Sequence, residues 1–251
     1  MAKKGNYTYE YPHPAVTADC VVFGYDGKQL KVLLIKRAKE QEASTSAYVG
    51  YWALPGGFMV VEKDQTEAEK AHADKSIAHT AARELKEETG LKLHPKEFKE
   101  VGTFSRIGRD PRERVISIAH YALVKLSEVA GNTDAEKAEW FSMKDIPQLA
   151  FDHDQILRVA CKRLREDIFF EPVGFELLPE VFTLPQLQNL YESILEVKFD
   201  RRNFANKMKH FGMLVELPDD SPRHGTRTPI KYRFDKDNYD RLKANGFKFE
   251  F

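Results

Sequence analysis

The chain of 251 residues reads as α/β: an α/β/α sandwich followed by a second, smaller winged helix-turn-helix domain. Three observations predict this. Short β-rich apolar runs separated by turn signals extend from Thr17 to Phe141. Among them lies one helix carrying three glutamates behind a glycine turn. Beyond Pro179 the pattern changes to two capped helices joined by a short turn, then two short strands.

Taken in order, Thr17 to Gly24 and Leu30 to Lys36 are strands joined by Asp26-Gly27, a hairpin turn signal. Trp52-Ala53-Leu54 leads into the loop Pro55-Gly56-Gly57-Phe58. The helix through Arg83-Glu84-Leu85-Lys86-Glu87-Glu88 stops at Gly90, as a glycine just past the last turn does. Strands follow over Phe98 to Phe104 and Val115 to Leu126, then a short apolar pair Trp140-Phe141. Asp154 to Leu164 has helical period, with Ile156, Leu157, Ala160 and Leu164 on one side. Glu171-Pro172-Val173-Gly174 and Leu178-Pro179 interrupt it, which sets expected domains at residues 1–170 and 171–251. No internal repeat appears.

Composition fits a soluble cytoplasmic chain: 42% hydrophobic residues are enough for real cores. Met1 to Pro14 has the character of neither a signal peptide nor a membrane span. Cys20 and Cys161 lack metal spacing and read as buried thiols without a disulfide. The formal net charge is zero, yet residues 198–251 hold thirteen Lys and Arg against eight Asp and Glu, a balance of +5 that leaves −5 on residues 1–197. A basic tail on an acidic body points to a polyanionic partner, or to a solvated face.

Glu84, Glu87 and Glu88 stand at i, i+3 and i+4 and share one helical face. Three like charges there repel by a few tenths of a kcal/mol per pair, roughly. A divalent cation removes that cost, and Mg²⁺ takes oxygen ligands while bridging carboxylates to phosphates. An exposed acidic helix is the alternative. Arg83-Glu84-Leu85-Lys86-Glu87-Glu88-Thr89-Gly90-Leu91 with the preceding glycine loop resembles the Nudix signature, in which a glycine and a first Glu precede the Arg-Glu run. That resemblance implies that Glu84, Glu87 and Glu88 hold Mg²⁺ and that Arg83 orients a carboxylate, making these four the catalytic candidates. The first half departs from the pattern: the spacing from Gly57 to Arg83 is too long, and Lys75 falls where the family has its first Glu. The extra residues, about 61–73, read as an exposed insertion.

Arg106, Arg109 and Arg112 cluster in a turn-rich segment and suit phosphate as planar bidentate donors; a loop surface is the alternative. With Arg37 at a strand end and Gly57 and Phe58 in the glycine loop, they make the ligand-binding candidates. His153 reads as a hydrogen-bonded structural histidine.

In the tail, Thr183 caps a helix over Leu184 to Leu195 and Asp200 caps a second over Arg201 to Phe211, with Glu196 to Phe199 between them. The second helix sets Arg201, Arg202, Asn203, Asn206 and Lys207 around an apolar side of Phe204, Met208 and Phe211. Strands at 214–217 and 230–234 enclose a polar loop with Arg223 and Arg227. Arg and Asn suit bidentate contact with base edges in the major groove, so these seven are the DNA-binding candidates. A solvated helical cap or a protein-binding winged helix is the alternative.

The two halves together, with Gly108-Arg109-Asp110-Pro111-Arg112, Phe151-Asp152-His153, Glu171 to Pro179, Phe182 to Leu187 and Asp200 to Phe204, resemble the Nudix-related transcriptional regulators. The resemblance implies a homodimer that binds an operator and senses ADP-ribose or a related sugar metabolite. It leaves open a second reading, a Mg²⁺-dependent diphosphatase cleaving ADP-ribose to AMP and ribose 5-phosphate.

Overall fold

The computed structural model describes residues 10–37, 48–61, 73–126, 135–218 and 229–246. A seven-stranded sheet forms around β1 (Ala15–Tyr25) and β2 (Leu30–Arg37), followed by β3 (Trp52–Ala53) and β4 (Gly56–Phe58). After helix α1 (Ile77–Thr89) come β5 (Lys99–Phe104), β6 (Val115–Leu123) and β7 (Ala135–Ser142). The strand order is β3-β2-β1-β6-β5, with β4 on β1 and β7 on β2. Between β1 and β2 the turn is fixed by Asp26, whose Oδ1 accepts from the amides of Lys28 and Gln29 at 2.9 and 2.8 Å. β1 is buried from Thr17 to Tyr25, so polar side chains on it are deep in the molecule.

Ser76 caps α1 by accepting from the His79 amide, and Gly90 ends it in the left-handed region at φ 77°. Only glycine adopts that conformation without steric cost. Helix α2 (His153–Phe170) follows β7. It runs six residues beyond the expected Leu164. A charged run, Arg163 to Asp167, hides its apolar stripe in the sequence, while Ile168 is fully buried and Arg163 pairs with Asp167 one turn on at 2.9 Å.

Beyond α2 lie β8 (Phe182–Thr183), α3 (Leu184–Leu195), α4 (Arg201–His210), β9 (Leu214–Glu216), β10 (Lys231–Phe234) and α5 (Lys236–Ala244). β8, β10 and β9 form an antiparallel three-stranded sheet in that order. Thr183 and Gln186 make a reciprocal capping box at the start of α3, worth about 1 kcal/mol. Helix, turn, helix and hairpin are those of a winged helix.

Three further expectations change. β6 ends at Leu123 rather than Leu126. Trp140-Phe141 belongs to an eight-residue strand, made by pairing with β2 rather than by its own charged sequence. α5 has no counterpart in the apolar pattern, because none of its residues is buried. By packing the chain forms two compact units. One spans residues 1–23, 32–122 and 128–160; the other takes Gly24–Lys31, Leu123–Ser127 and Cys161–Phe251. Both cysteines are free thiols. Among the described residues, no helix is long and apolar enough to cross a membrane.

Candidate functional site

The glutamate helix faces the glycine loop. The Gly56 amide donates to Glu88 Oε2 at 2.8 Å. A Cβ on Gly57 would stand 2.7 Å from Glu84 Oε2 and closer still to its other carboxyl atoms, so a bare backbone is what lets the two approach. Arg83 gathers this region. Its Nε and Nη2 donate to the two Asp74 oxygens at 3.1 and 2.9 Å, Nη2 also reaches Phe58 O at 3.0 Å, and Nη1 reaches Glu84 Oε1 at 2.8 Å and Glu87 Oε2 at 3.0 Å.

Asp74 corrects the alignment that gave Lys75 the place of the first acidic residue. Lys75 is exposed. Asp74 is buried, exchanges backbone and side-chain bonds with Val60, accepts from the Thr80 hydroxyl, and offers both oxygens to the Arg83 fork. Burial alone would raise its carboxyl, but Arg83 and the Val60 amide hold it below the ordinary range. The Arg-binding acid therefore sits one position earlier than the spacing places it.

Burial raises the Glu84 carboxyl against the pull of Arg83. Burial raises Glu88 well above its usual value against the Gly56 amide, and Glu84 and Asp19 add repulsion. Two half- to fully buried acids with only oxygen donors are relieved by a hard divalent cation, so the donor chemistry of Glu84 and Glu88 fits Mg²⁺. Glu87 is set apart, half exposed and held on Arg83. Among the described residues, no three His, Cys, Asp or Glu side chains converge as a cage. A cation here would draw its remaining ligands from water and substrate, as Mg²⁺ commonly does.

Beside the glycine loop, β1 contributes Asp19 to a buried polar network. Arg109 donates to Asp152 through Nε at 3.0 Å and Nη2 at 2.7 Å, and Nη2 also reaches Asp19 Oδ2 at 3.3 Å. Ser117 Oγ donates to the same Asp19 oxygen. His153 Nδ1 accepts the Leu54 amide at 2.9 Å, so the ring proton sits on Nε2, 3.6 Å from Asp19 Oδ1. Burial lowers the His153 pKa, consistent with a neutral ring.

This network supports a cluster of rings and guanidinium groups. Arg37 lies 5.0 Å from the Phe151 ring centre, and Arg112 lies 5.3 Å from both Phe151 and Phe58. Tyr48 packs on Phe151 with centroids 4.8 Å apart. Asp110 holds Arg112 through two oxygens. Phe151 and Tyr48 both have positive φ, 54° and 68°. Left-handed backbone costs a side-chain-bearing residue about 1–3 kcal/mol and concentrates at ligand clamps. Planar cations beside flat rings suit a nucleotide's base and phosphates.

Of the ligand candidates, the structure brings Arg37 and Arg112 to Phe151, sets Phe58 against Arg112 and puts Gly57 against Glu84. Arg109 is buried on two aspartates. Arg106 stands exposed in the same loop.

In the winged helix, α4 buries Phe204 and Met208 and exposes Arg201, Arg202, Asn203, Asn206 and Lys207. Asp200 caps the helix through the Asn203 amide at 2.8 Å. Arg223 and Arg227 lie outside the described residues. Glu192 fixes the entry to α4: it accepts from Gln188 Nε2, Lys198 Nζ and the Phe199 amide. Burial would raise its carboxyl, but Lys198, Gln188 and the Phe199 amide lower it to about 2.

Residues 13–160 match the NUDIX domain and residues 174–234 match the NrtR DNA-binding winged helix domain. The chain is 33% identical to an ADPR responsive transcriptional repressor, NtrR, of Acinetobacter baylyi, over 92% of this chain and 86% of that protein. The chain belongs to the NrtR family of Nudix-related regulators. NrtR of Shewanella oneidensis shares its fold with a TM-score of 0.68 and 27% identity, covering 93% of this chain and 97% of the other. That protein has also been crystallised with a 27mer DNA (TM-score 0.66, 25% identity, 93% and 97% covered). Its NUDIX domain has been cocrystallised with ADP ribose (TM-score 0.51, 28% identity, 63% and 94% covered). An ADP-ribose pyrophosphatase of Methanocaldococcus jannaschii is 38% identical over 59% of this chain and 73% of its own length.

The sequence alone does not reveal Asp74, Asp19, Phe151 as a ring platform or Glu192. Asp74 carries one visible signal, an acid beside the misaligned Lys75. The others depend on which strands become neighbours.

Proposed function

We propose that this protein is a DNA-binding transcriptional regulator of the cytoplasm whose Nudix-like domain, residues 1–170, senses ADP-ribose or a closely related nucleotide sugar. Residues 171–251 form the DNA-reading domain. The observation that carries the reading is the face of α4: five polar residues of the types that read base edges are exposed, while the helix's apolar residues are buried. The Arg37–Phe151–Arg112 cluster supplies the effector site, with stacking rings for a base and guanidinium groups for a diphosphate. The relatives support both halves, since the Acinetobacter protein is an ADPR responsive repressor and the Shewanella protein has been crystallised with DNA and, as its NUDIX domain, with ADP ribose.

The regulator acts as a homodimer. Two α4 helices related by a two-fold axis read inverted half-sites about one helical turn or a small multiple apart. ADP-ribose must then bind the DNA-competent and incompetent forms unequally, since equal affinity shifts nothing. Arg202→Ala or Asn203→Ala weakens operator binding by about 1–3 kcal/mol and leaves ADP-ribose affinity intact. Unchanged operator affinity in both variants would refute the placement of the reading helix.

A second reading is favoured by the complete Arg83-Glu84…Glu87-Glu88 run: slow Mg²⁺-dependent hydrolysis of ADP-ribose. Glu84 and Glu88 would hold the cation, which supplies charge neutralisation at the diphosphate when bound. Release of AMP that Glu88→Gln abolishes supports it; equal release by wild type and variant rejects it.

A further inference from the structure

The last turn of α3 receives contacts from two elements whose other ends carry the effector cluster. The β1–β2 hairpin tip, residues 24–31, lies in the same compact unit as α3. The Leu30 amide donates to Ser193 Oγ at 2.8 Å, and Tyr25 and Leu30 of this tip are both buried. From Leu30, β2 runs without interruption to Arg37. Helix α2 begins at His153 in the polar network under Phe151. Farther along it, Arg165 donates from Nε to Ile194 O at 3.0 Å and pairs through Nη2 with Glu196 Oε1 at 2.8 Å.

The receiving turn is itself poised. Ile194 O is one of the terminal carbonyls that no amide of its own helix can satisfy. Glu196 ends α3 with φ 56°, in the left-handed region, where a non-glycine residue stays only when its surroundings hold it. Within the same turn Glu192 clamps Lys198 and the Phe199 amide, and Asp200, the cap of α4, follows directly. A strand end, a helix and the turn that aims α4 thus meet within residues 192–196.

We propose that this turn is the relay between effector and DNA, with Arg165 and Ser193 as its positioning residues. The inference rests on the functional reading above. Strand and helix are hydrogen-bonded along their lengths, so a displacement at Arg37 or His153 reaches Leu30 and Arg165 rather than dissipating between. The strained Glu196, held or released by Arg165, is the two-state element that both sites bias.

The test uses the full chain as wild type, Ser193→Ala, Arg165→Lys, Arg165→Ala and the Arg165→Ala/Ser193→Ala double variant. Affinity for a duplex from upstream of the protein's own gene is read with and without saturating ADP-ribose, and ADP-ribose affinity is read without DNA. The double variant is expected to keep both separate affinities, while the factor by which ADP-ribose alters DNA affinity is reduced by about 2- to 30-fold. Arg165→Lys keeps a charge near Glu196 but not the fork, and falls between. A wild-type coupling factor in the double variant overturns the relay. So does a folded Arg165→Ala that loses DNA affinity without ligand, since the turn would then hold α4 statically. Should Arg165→Ala not fold, Ser193→Ala decides alone: reduced coupling supports the relay and full coupling overturns it. A wild type whose DNA affinity ignores ADP-ribose refutes the functional reading, and the relay with it.

Discussion

Replacing Arg109 with methionine tests whether the buried network organises the effector cluster. The guanidinium side chain is 4% exposed, and its partners Asp152 and Asp19 are 5% and 8% exposed. Methionine fills much of the volume but satisfies neither carboxylate. Removing one partner of a buried ion pair costs about 3–5 kcal/mol, because the remaining charge is left uncompensated in a poor solvent. Ser117 still donates to Asp19, so Asp152 bears most of the loss and the lower part of that range is expected. For a chain of this size each kcal/mol lowers Tm by about 2–4 °C, which puts the fall at roughly 6–12 °C for 3 kcal/mol. Thermal and urea unfolding of wild type and Arg109→Met measure it directly. Arg106→Met, exposed in the same loop, serves as the control and stays within about 0.5 kcal/mol. A loss below about 1 kcal/mol in Arg109→Met would refute the network's structural role and return Arg109 to the set of ligand clamps.

Three further outcomes follow from the geometry. Asp74→Ala frees the Arg83 fork and costs about 1–3 kcal/mol, whereas Lys75→Ala stays within about 0.5 kcal/mol; equal effects in urea unfolding would return the acidic role to the Lys75 position. Gly57→Ala displaces the Glu84 carboxyl and destabilises by about 1–3 kcal/mol, and the same change in a Glu84→Ala background costs less, so strict additivity in that double-mutant cycle would contradict the contact. Glu192 has its carboxyl lowered from 4.5 to about 2. A depressed carboxyl contributes stability that is complete above its unfolded value and lost as pH falls through its folded value. The advantage of wild type over Glu192→Gln should therefore be constant near neutrality and shrink as pH falls from 4.5 toward 2, and a difference that does not change over that window would remove Glu192 from the turn's anchoring.

Much of the architecture was legible in local chemistry. Asp26-Gly27 marks the first hairpin, Gly90 the end of α1, Thr183 the start of α3 and Asp200 the start of α4, because each satisfies or breaks backbone hydrogen bonds within a few residues. The apolar stripe of α4 was equally visible, since Phe204 and Met208 fall on one helical face. What stayed hidden is set by tertiary pairing. β7 is a strand because β2 binds it, and α5 is held by its Asp235 cap, by Asn238 Nδ2 donating to Gly212 O at 2.8 Å and by the Tyr239 ring beside Phe234 rather than by a buried face. The site divides the same way. The glutamates announce themselves by spacing, but nothing in the order of residues says that Asp19, Arg109 and Asp152 meet, or that Arg37 and Arg112 share the ring of Phe151. Asp74 shows how an insertion can move a partner by one position while the arginine fork still finds it.

The affinity of the purified full chain for DNA upstream of its own gene, followed by fluorescence anisotropy over a salt series with and without ADP-ribose, separates a regulator from a hydrolase. A regulator binds that duplex selectively over random sequence, loses affinity steeply as salt displaces its phosphate contacts, and changes affinity at least several-fold when ADP-ribose is added, in the range of about 5- to 150-fold common for linked sites. Equal affinity for random duplex, unmoved by ADP-ribose, would contradict the account and leave the hydrolase reading of the same glutamate helix in its place.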